Sequence, residues 1–298
     1  MKGFLSPNIL LELDALFQKR DWKIVENGDV KKSLYRRYCE RLKYLEENEQ
    51  NFFIELSYRF EIIGIKDYLE FFLMSLFSID EKKFKSVEKI IFTPLTQPFI
   101  NNKGGRKKVL RPKIKSSQFL FSYIDRHDLR WIDYSSKFEF LESIIDIKKL
   151  FISNKTLIVL VDDFVGTGTT ATNCIKHVKE EIEKDLEITN NDICIISIAA
   201  LSEGVKKLKD DLGISVYSDI VQTKGITDCY LGVETTRKKE LMLEIEKKLK
   251  CPRKYSFGYG QSEALITFGD KTPNNTFPAY WYETNTRIAP FPRYKNYK

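Results

Sequence analysis

The chemistry of this chain is concentrated between Thr156 and Ile175, in the run TLIVLVDDFVGTGTTATNCI. Thr156 to Val161 are apolar or β-branched without a charge, as in a strand buried on both faces. Two adjacent carboxylates, Asp162 and Asp163, are expected at the end of that strand, and a short loop, FVGTGTT, then opens a helix. The backbone N–H groups of Thr167, Gly168, Thr169 and Thr170 can wrap an anion there. The positive end of the helix dipole and the threonine hydroxyls strengthen the grip. This reads as a phosphate cradle at the carboxyl end of a central strand, where α/β sheets hold their ligands. Two carboxylates beside the cradle would repel phosphate unless they face something else. Ribose hydroxyls or a hydrated Mg2+ fit that role.

Two other phosphate motifs compete for the same residues. The P-loop requires a lysine after its second glycine, and Gly168 is followed by Thr169, so that reading fails. The dinucleotide fingerprint matches in form through Gly166, Gly168 and Ala171. However, DDFV separates the apolar run from the first glycine, and the acid offered near the end of the next strand, Glu203, lies too far along. It stays a weak alternative.

IVLVDDFVGTGTT (158–170) resembles the phosphoribosyl pyrophosphate motif of the type I phosphoribosyltransferases: four apolar residues, two acids, three variable residues, then Thr-Gly-Thr-Thr. About thirteen contiguous positions agree. The resemblance implies that Thr167, Gly168, Thr169 and Thr170, with Gly166, hold a 5′-phosphate. Asp162 and Asp163 would face the ribose 2′ and 3′ hydroxyls and act in catalysis, with Mg2+ recruited through the ligand. It also implies an earlier strand leading to a pyrophosphate-binding loop, which KIIFT (89–93) and the residues up to Ser117 are placed to supply. Lys103, Arg106 and Lys107 are the candidates there. Hypoxanthine-guanine enzymes carry an acid at the third variable position; here that position is Gly166.

A looser resemblance extends over about two thirds of the chain. AALSEG (199–204) and GQSEALITFGDKTPNNTFPAYW (260–281), with the helical N-terminus, are similar to phosphoribosyltransferase-like proteins of bacterial conflict systems, including those encoded beside retrons. That resemblance implies an antiphage effector, with nucleic acid or a reverse transcriptase–DNA complex among its partners. Pro273-Asn274-Asn275-Thr276 reads as a turn rich in amide donors and acceptors. Phe277, Tyr280 and Trp281 offer stacking surfaces beside it. Asn274, Asn275 and Trp281 are therefore candidates for a hood over a base.

The charge distribution also points to an anionic partner. The surplus of 49 basic over 42 acidic residues, +7, is matched by the seven lysines and arginines of residues 101–115 alone. Those residues include no acid. The tail adds Arg287, Arg293, Lys295 and Lys298, interleaved with Phe291, Tyr294 and Tyr297. Local clusters of this kind suit phosphate groups, whether of a small ligand or of nucleic acid; a solvated basic loop and tail is the plainer alternative.

The elements that must position these residues follow from pattern. Ser6-Pro7 caps a first helix, and residues 30–77 keep a helical period, with Leu34, Tyr38, Leu42 and Leu45 on one face and Phe52, Leu56, Phe60 and Ile63 on another. From Lys89 onward, strands at 89–93, 156–161, 192–201 and 214–218 alternate with helices, which predicts an α/β fold with a mostly parallel sheet and flanking helices. Residues 1–85 are read as a helical N-terminal region and 86–298 as the phosphoribosyltransferase-like domain, with a hood-like segment from about 252. No apolar run reaches the roughly 20 residues of a membrane helix. Five scattered cysteines without a C-x-x-C pair suggest reduced thiols, and hence a cytoplasmic protein with no membrane partner. A glycosyl transferase acting on phosphoribosyl pyrophosphate or a nucleotide is the expected activity, with a non-catalytic nucleotide-binding effector or sensor as the alternative.

Overall fold

A computed structural model of the chain describes residues 3–24, 33–96, 99–101, 108–110, 116–143, 146, 155–182, 189 and 192–293. Ser6 caps the first helix, its hydroxyl accepting from Ile9 N at 3.3 Å. In chain order the elements are α1 (Pro7–Lys19), α2 (Leu34–Leu42), α3 (Glu47–Ser57), β1 (Glu61–Ile63), α4 (Tyr68–Phe77), α5 (Glu81–Ser86) and β2 (Lys89–Pro94). Next come β3 (Phe99–Asn101), β4 (Lys108–Leu110), α6 (Ser116–Asp125), β5 (Phe138–Phe140), β6 (Thr156–Val165) and α7 (Thr169–Ile182). The chain continues through β7 (Ile193–Leu201), α8 (Ser202–Leu212), β8 (Ser215–Gln222), α9 (Val233–Lys248), β9 (Ile266–Phe268) and α10 (Pro278–Trp281). Among the described residues no helix is long and apolar enough to cross a membrane, and all five cysteines are free thiols.

The chain divides into two units, one of residues 1–65 with 223–298 and one of residues 66–222. The sequence reading placed its boundary at residue 85 and treated the N-terminal helices as a region apart. Instead α1–α3 share a core with the last quarter of the chain, because their apolar faces find partners there: Phe53 stacks on Tyr280 at 4.3 Å and Phe60 on Phe291 at 4.5 Å. Arg37 Nε donates to Ala289 O and Arg41 Nη2 to Tyr282 O, both at 2.7 Å. The helical period expected through Phe77 breaks after Ser57. Ile63, expected on a helix face, lies in β1, which pairs in parallel with β9.

The second unit carries the predicted α/β sheet. Its five strands are parallel, in the order β5-β2-β6-β7-β8. β6 and β7, the most apolar runs, take the centre and are almost wholly buried. One core packs Ile158, Leu160 and Ile195 against Cys174, Ile175 and Val178 of α7 and Leu208 of α8. On the second-unit residues 99–110, where the sequence suggested a plain loop, β3 and β4 form an antiparallel pair. Lys103, Arg106 and Lys107 fall between them, outside the described residues.

Candidate phosphate-binding site

The cradle is shorter and its carboxylates deeper than the residue pattern suggested. β6 does not stop at Val161; it runs on to Val165, so Asp162 and Asp163 lie within the strand. Phe164 and Val165 pair with Ala199 and Ala200 of β7 and hold the extension in place. The connection from strand to helix is then only Gly166-Thr167-Gly168 before α7 begins at Thr169.

The strand is irregular where the carboxylates sit. Ile158, Leu160 and Val165 all belong to the same core, as do Ile195 and Ala200 of the neighbouring strand. Leu160 and Val165 are an odd number of residues apart, so the alternation of faces slips once between them. The pairing passes from Asp162↔Ser197 directly to Phe164↔Ala199 across this slip. Asp162 is half-buried and its Oδ1 accepts from Asp163 N at 3.0 Å; Asp163 is 6% exposed.

Beyond the slip the backbone turns sharply. Gly168 has φ +74°, the left-handed region that glycine enters without steric cost. Its carbonyl accepts from Thr172 N at 2.8 Å, starting α7. The first four N–H groups of a helix have no partner within it, so the amides at the start of α7 are available to an anion. Thr169 and Thr170 are exposed, and the hydroxyls of Thr167 and Thr169 lie 3.2 Å apart. Donors, helix dipole and small residues thus converge on one spot just past two carboxylates.

Two residues outside the predicted site shape this spot. Gly204, in the first turn of α8, packs directly beneath the loop: a Cβ there would lie 2.0 Å from Gly166 O and 3.3 Å from Gly168 N. Its only signal in the sequence is a glycine shortly after a buried strand. Ser75 of α4 is fully buried and inserts between β7 and β8, donating to Ser197 O at 3.1 Å and accepting from Asp219 N at 3.0 Å. The wedge touches Ser197, the ladder partner of Asp162. Nothing in the apolar helix around Ser75 announces it.

The C-terminal candidates belong to the other unit. Trp281 is 6% exposed; its Nε1 donates to Thr276 O at 2.7 Å and its ring meets Tyr255 edge-on at 5.3 Å. Phe277 and Tyr280 are fully buried in that unit's core. Asn275 Nδ2 donates to Ser262 Oγ at 3.2 Å, and Asn274 O accepts from Tyr259 N at 2.7 Å. These groups build the turn itself.

A parallel sheet whose central strand carries paired acids and delivers a Thr-Gly-Thr-Thr helix start defines a phosphoribosyltransferase-like class of protein. The PRTase-CE family model matches residues 26–293, and the chain belongs to that family. No curated protein matches the chain. Among solved structures, it is similar to the AQ2163 protein from Aquifex aeolicus, at 9% identity over 78% of this chain and 89% of that one, with a TM-score of 0.26. A likeness so slight bears on neither fold nor function.

Proposed function

We propose that the cradle binds the 5′-phosphate of a ribose 5-phosphate compound, phosphoribosyl pyrophosphate or a nucleotide, and that the protein transfers or cleaves at its anomeric carbon. The observation that carries this reading is the sequence of parts along one strand and turn: Asp162 and Asp163 within β6, then Gly166 to Gly168, then the open start of α7. A phosphate seated on the helix start leaves the carboxylates about one ribose away, where they face hydroxyls or a developing positive charge. Catalysis of this kind is positioning and electrostatics, since the transition state is oxocarbenium-like. Asp162 and Asp163 are hard oxygen donors of the kind Mg2+ takes, and an ion shared with the ligand would neutralise pyrophosphate charge beside them. Lys103, Arg106 and Lys107 are assigned to the pyrophosphate.

A second reading is favoured by the basic residues between 101 and 115, which have no acid among them. Here the protein is an effector or sensor of a bacterial defence system that holds a nucleotide without turnover, in a complex with nucleic acid and a reverse transcriptase. Incubation with phosphoribosyl pyrophosphate, Mg2+ and each nucleobase separates the two. Release of pyrophosphate supports the transferase. Binding without release, together with salt-sensitive retention of single-stranded DNA or RNA, supports the effector.

A further inference from the structure

The second unit has a cavity at the amino ends of its strands, away from the cradle. Glu81 and Phe84 of α5, which leads into β2, and Tyr134 and Phe138, at the entry to β5, are among the residues that wall it. β2 and β6 start level, Lys89 beside Thr156, whereas the cradle follows the tenth residue of β6. The two places therefore lie toward opposite ends of β2 and β6.

The cavity holds about 350 Å³, within the range of small-ligand sites. Its walls are aromatic: Phe77, Phe84, Trp131, Tyr134 and Phe138. Two of these rings stand open, Trp131 at 63% exposure and Phe77 at 54%, edge to face with centroids 6.4 Å apart. Large apolar rings left this open in a soluble unit ask for an occupant. Tyr134 is fixed behind them. It adopts φ +67°, stacks on Phe84 at 6.2 Å and donates its hydroxyl to Glu81 Oε1 at 2.8 Å. A bulky residue in the left-handed region is held there only by its surroundings.

The polar groups of the wall decide the chemistry. They are carboxylates: Glu81, which also pairs with Lys85 at 3.0 Å, and Asp133, which has no ion pair among the described residues. Among the described residues no lysine or arginine lines the cavity, so a bare phosphate is not its natural ligand. Open ring faces beside a free carboxylate suit a flat ring that donates hydrogen bonds. We propose that this cavity is a second ligand site that takes a nucleobase, its ring on Trp131 and Phe77 and its amino or imino N–H on Asp133. The base comes either from a free nucleoside or nucleotide or from an unpaired position of a single-stranded nucleic acid.

The test uses the full chain and two probe sets, adenosine, guanosine and cytidine on one side and short single-stranded DNA of the same bases on the other. Binding is read by calorimetry and by indole fluorescence. At least one nucleoside or oligonucleotide is expected to bind saturably, about tenfold more weakly to Trp131→Ala, which removes a stacking face, and more weakly to Asp133→Asn. Gly168→Val, altered at the cradle, should bind it as the parent does. Nucleoside binding assigns the site to free ligands; binding confined to oligonucleotides assigns it to a strand. Unchanged affinity in Trp131→Ala overturns the proposal. So does failure of every probe to bind, including the case where Trp131→Ala instead dissolves a self-association seen by sedimentation.

Discussion

A Cβ at Gly204 would stand 2.0 Å from the carbonyl oxygen of Gly166, so the first turn of α8 and the loop that opens α7 touch backbone to backbone. The floor of the cradle is therefore a neighbouring helix, and the loop's height is set by the absence of a side chain there. Gly204→Ala must push α8 or the loop aside. Overpacking of this kind costs about 1–3 kcal/mol. The variant is expected to melt several degrees lower and to bind ribose 5-phosphate about tenfold more weakly. Unchanged melting and affinity would mean that the loop does not rest on α8.

The carboxylate pair is expected to act on the ligand rather than on the fold. Asp162→Asn combined with Asp163→Asn keeps shape and hydrogen-bonding capacity within β6 and removes both charges. Turnover should be abolished, with circular dichroism and melting close to the parent. A folded double variant with parental turnover would remove Asp162 and Asp163 from the mechanism.

The basic residues 103, 106 and 107 discriminate between the two proposed roles. If they serve pyrophosphate, replacing all three with alanine lowers ligand affinity or turnover and leaves nucleic-acid retention nearly untouched. The pyrophosphate role is the expected one, since the segment follows β2, the strand beside β6. Retained turnover with a flatter dependence of DNA or RNA affinity on salt, by about one in slope per lost phosphate contact, would reverse the assignment.

Glu246 makes the stability of the protein depend on pH. Glu246 is 2% exposed, and its Oε1 accepts from Phe257 N at 3.0 Å. Burial pushes its pKa up to about 7. A folded-state pKa above the unfolded one favours folding at low pH, and the contribution is lost as pH rises through about 7. The loss between pH 4 and pH 8 is on the order of 3 kcal/mol. Urea unfolding across that range should show stability falling with pH in the parent, and a flatter profile in Glu246→Gln. Parallel profiles in the two proteins would show that the carboxyl is not responsible.

The sheet was legible because its central strands are apolar runs and its helices have clear faces. The turn from β6 into α7 was legible because Thr167-Gly168-Thr169-Thr170 is a local signal that needs no distant partner. What the sequence hid is non-local. Asp162 and Asp163 look like the end of a strand because charges seldom continue one, yet Phe164 and Val165 are held in the ladder by Ala199 and Ala200. Ile63 fits a helix period and nevertheless pairs as a strand, because its partner Phe268 lies about two hundred residues away. The same distance concealed that the N-terminal helices share a core with Tyr280 and Phe291. The contact of Gly204 with Gly166 and the wedge of Ser75 are likewise products of packing, which spacing along the chain does not encode.

Calorimetry of ribose 5-phosphate on the parent and on Gly168→Val decides whether the turn at Gly168 holds a 5′-phosphate. The backbone there sits at φ +74°, and a Cβ would lie 3.3 Å from Gly204 O, so valine strains the turn and crowds the approach of the anion. Saturable binding to the parent is expected, with at least about tenfold weaker binding to a variant that remains folded. Equal affinity in the two proteins would contradict it, because the phosphate would then be held elsewhere.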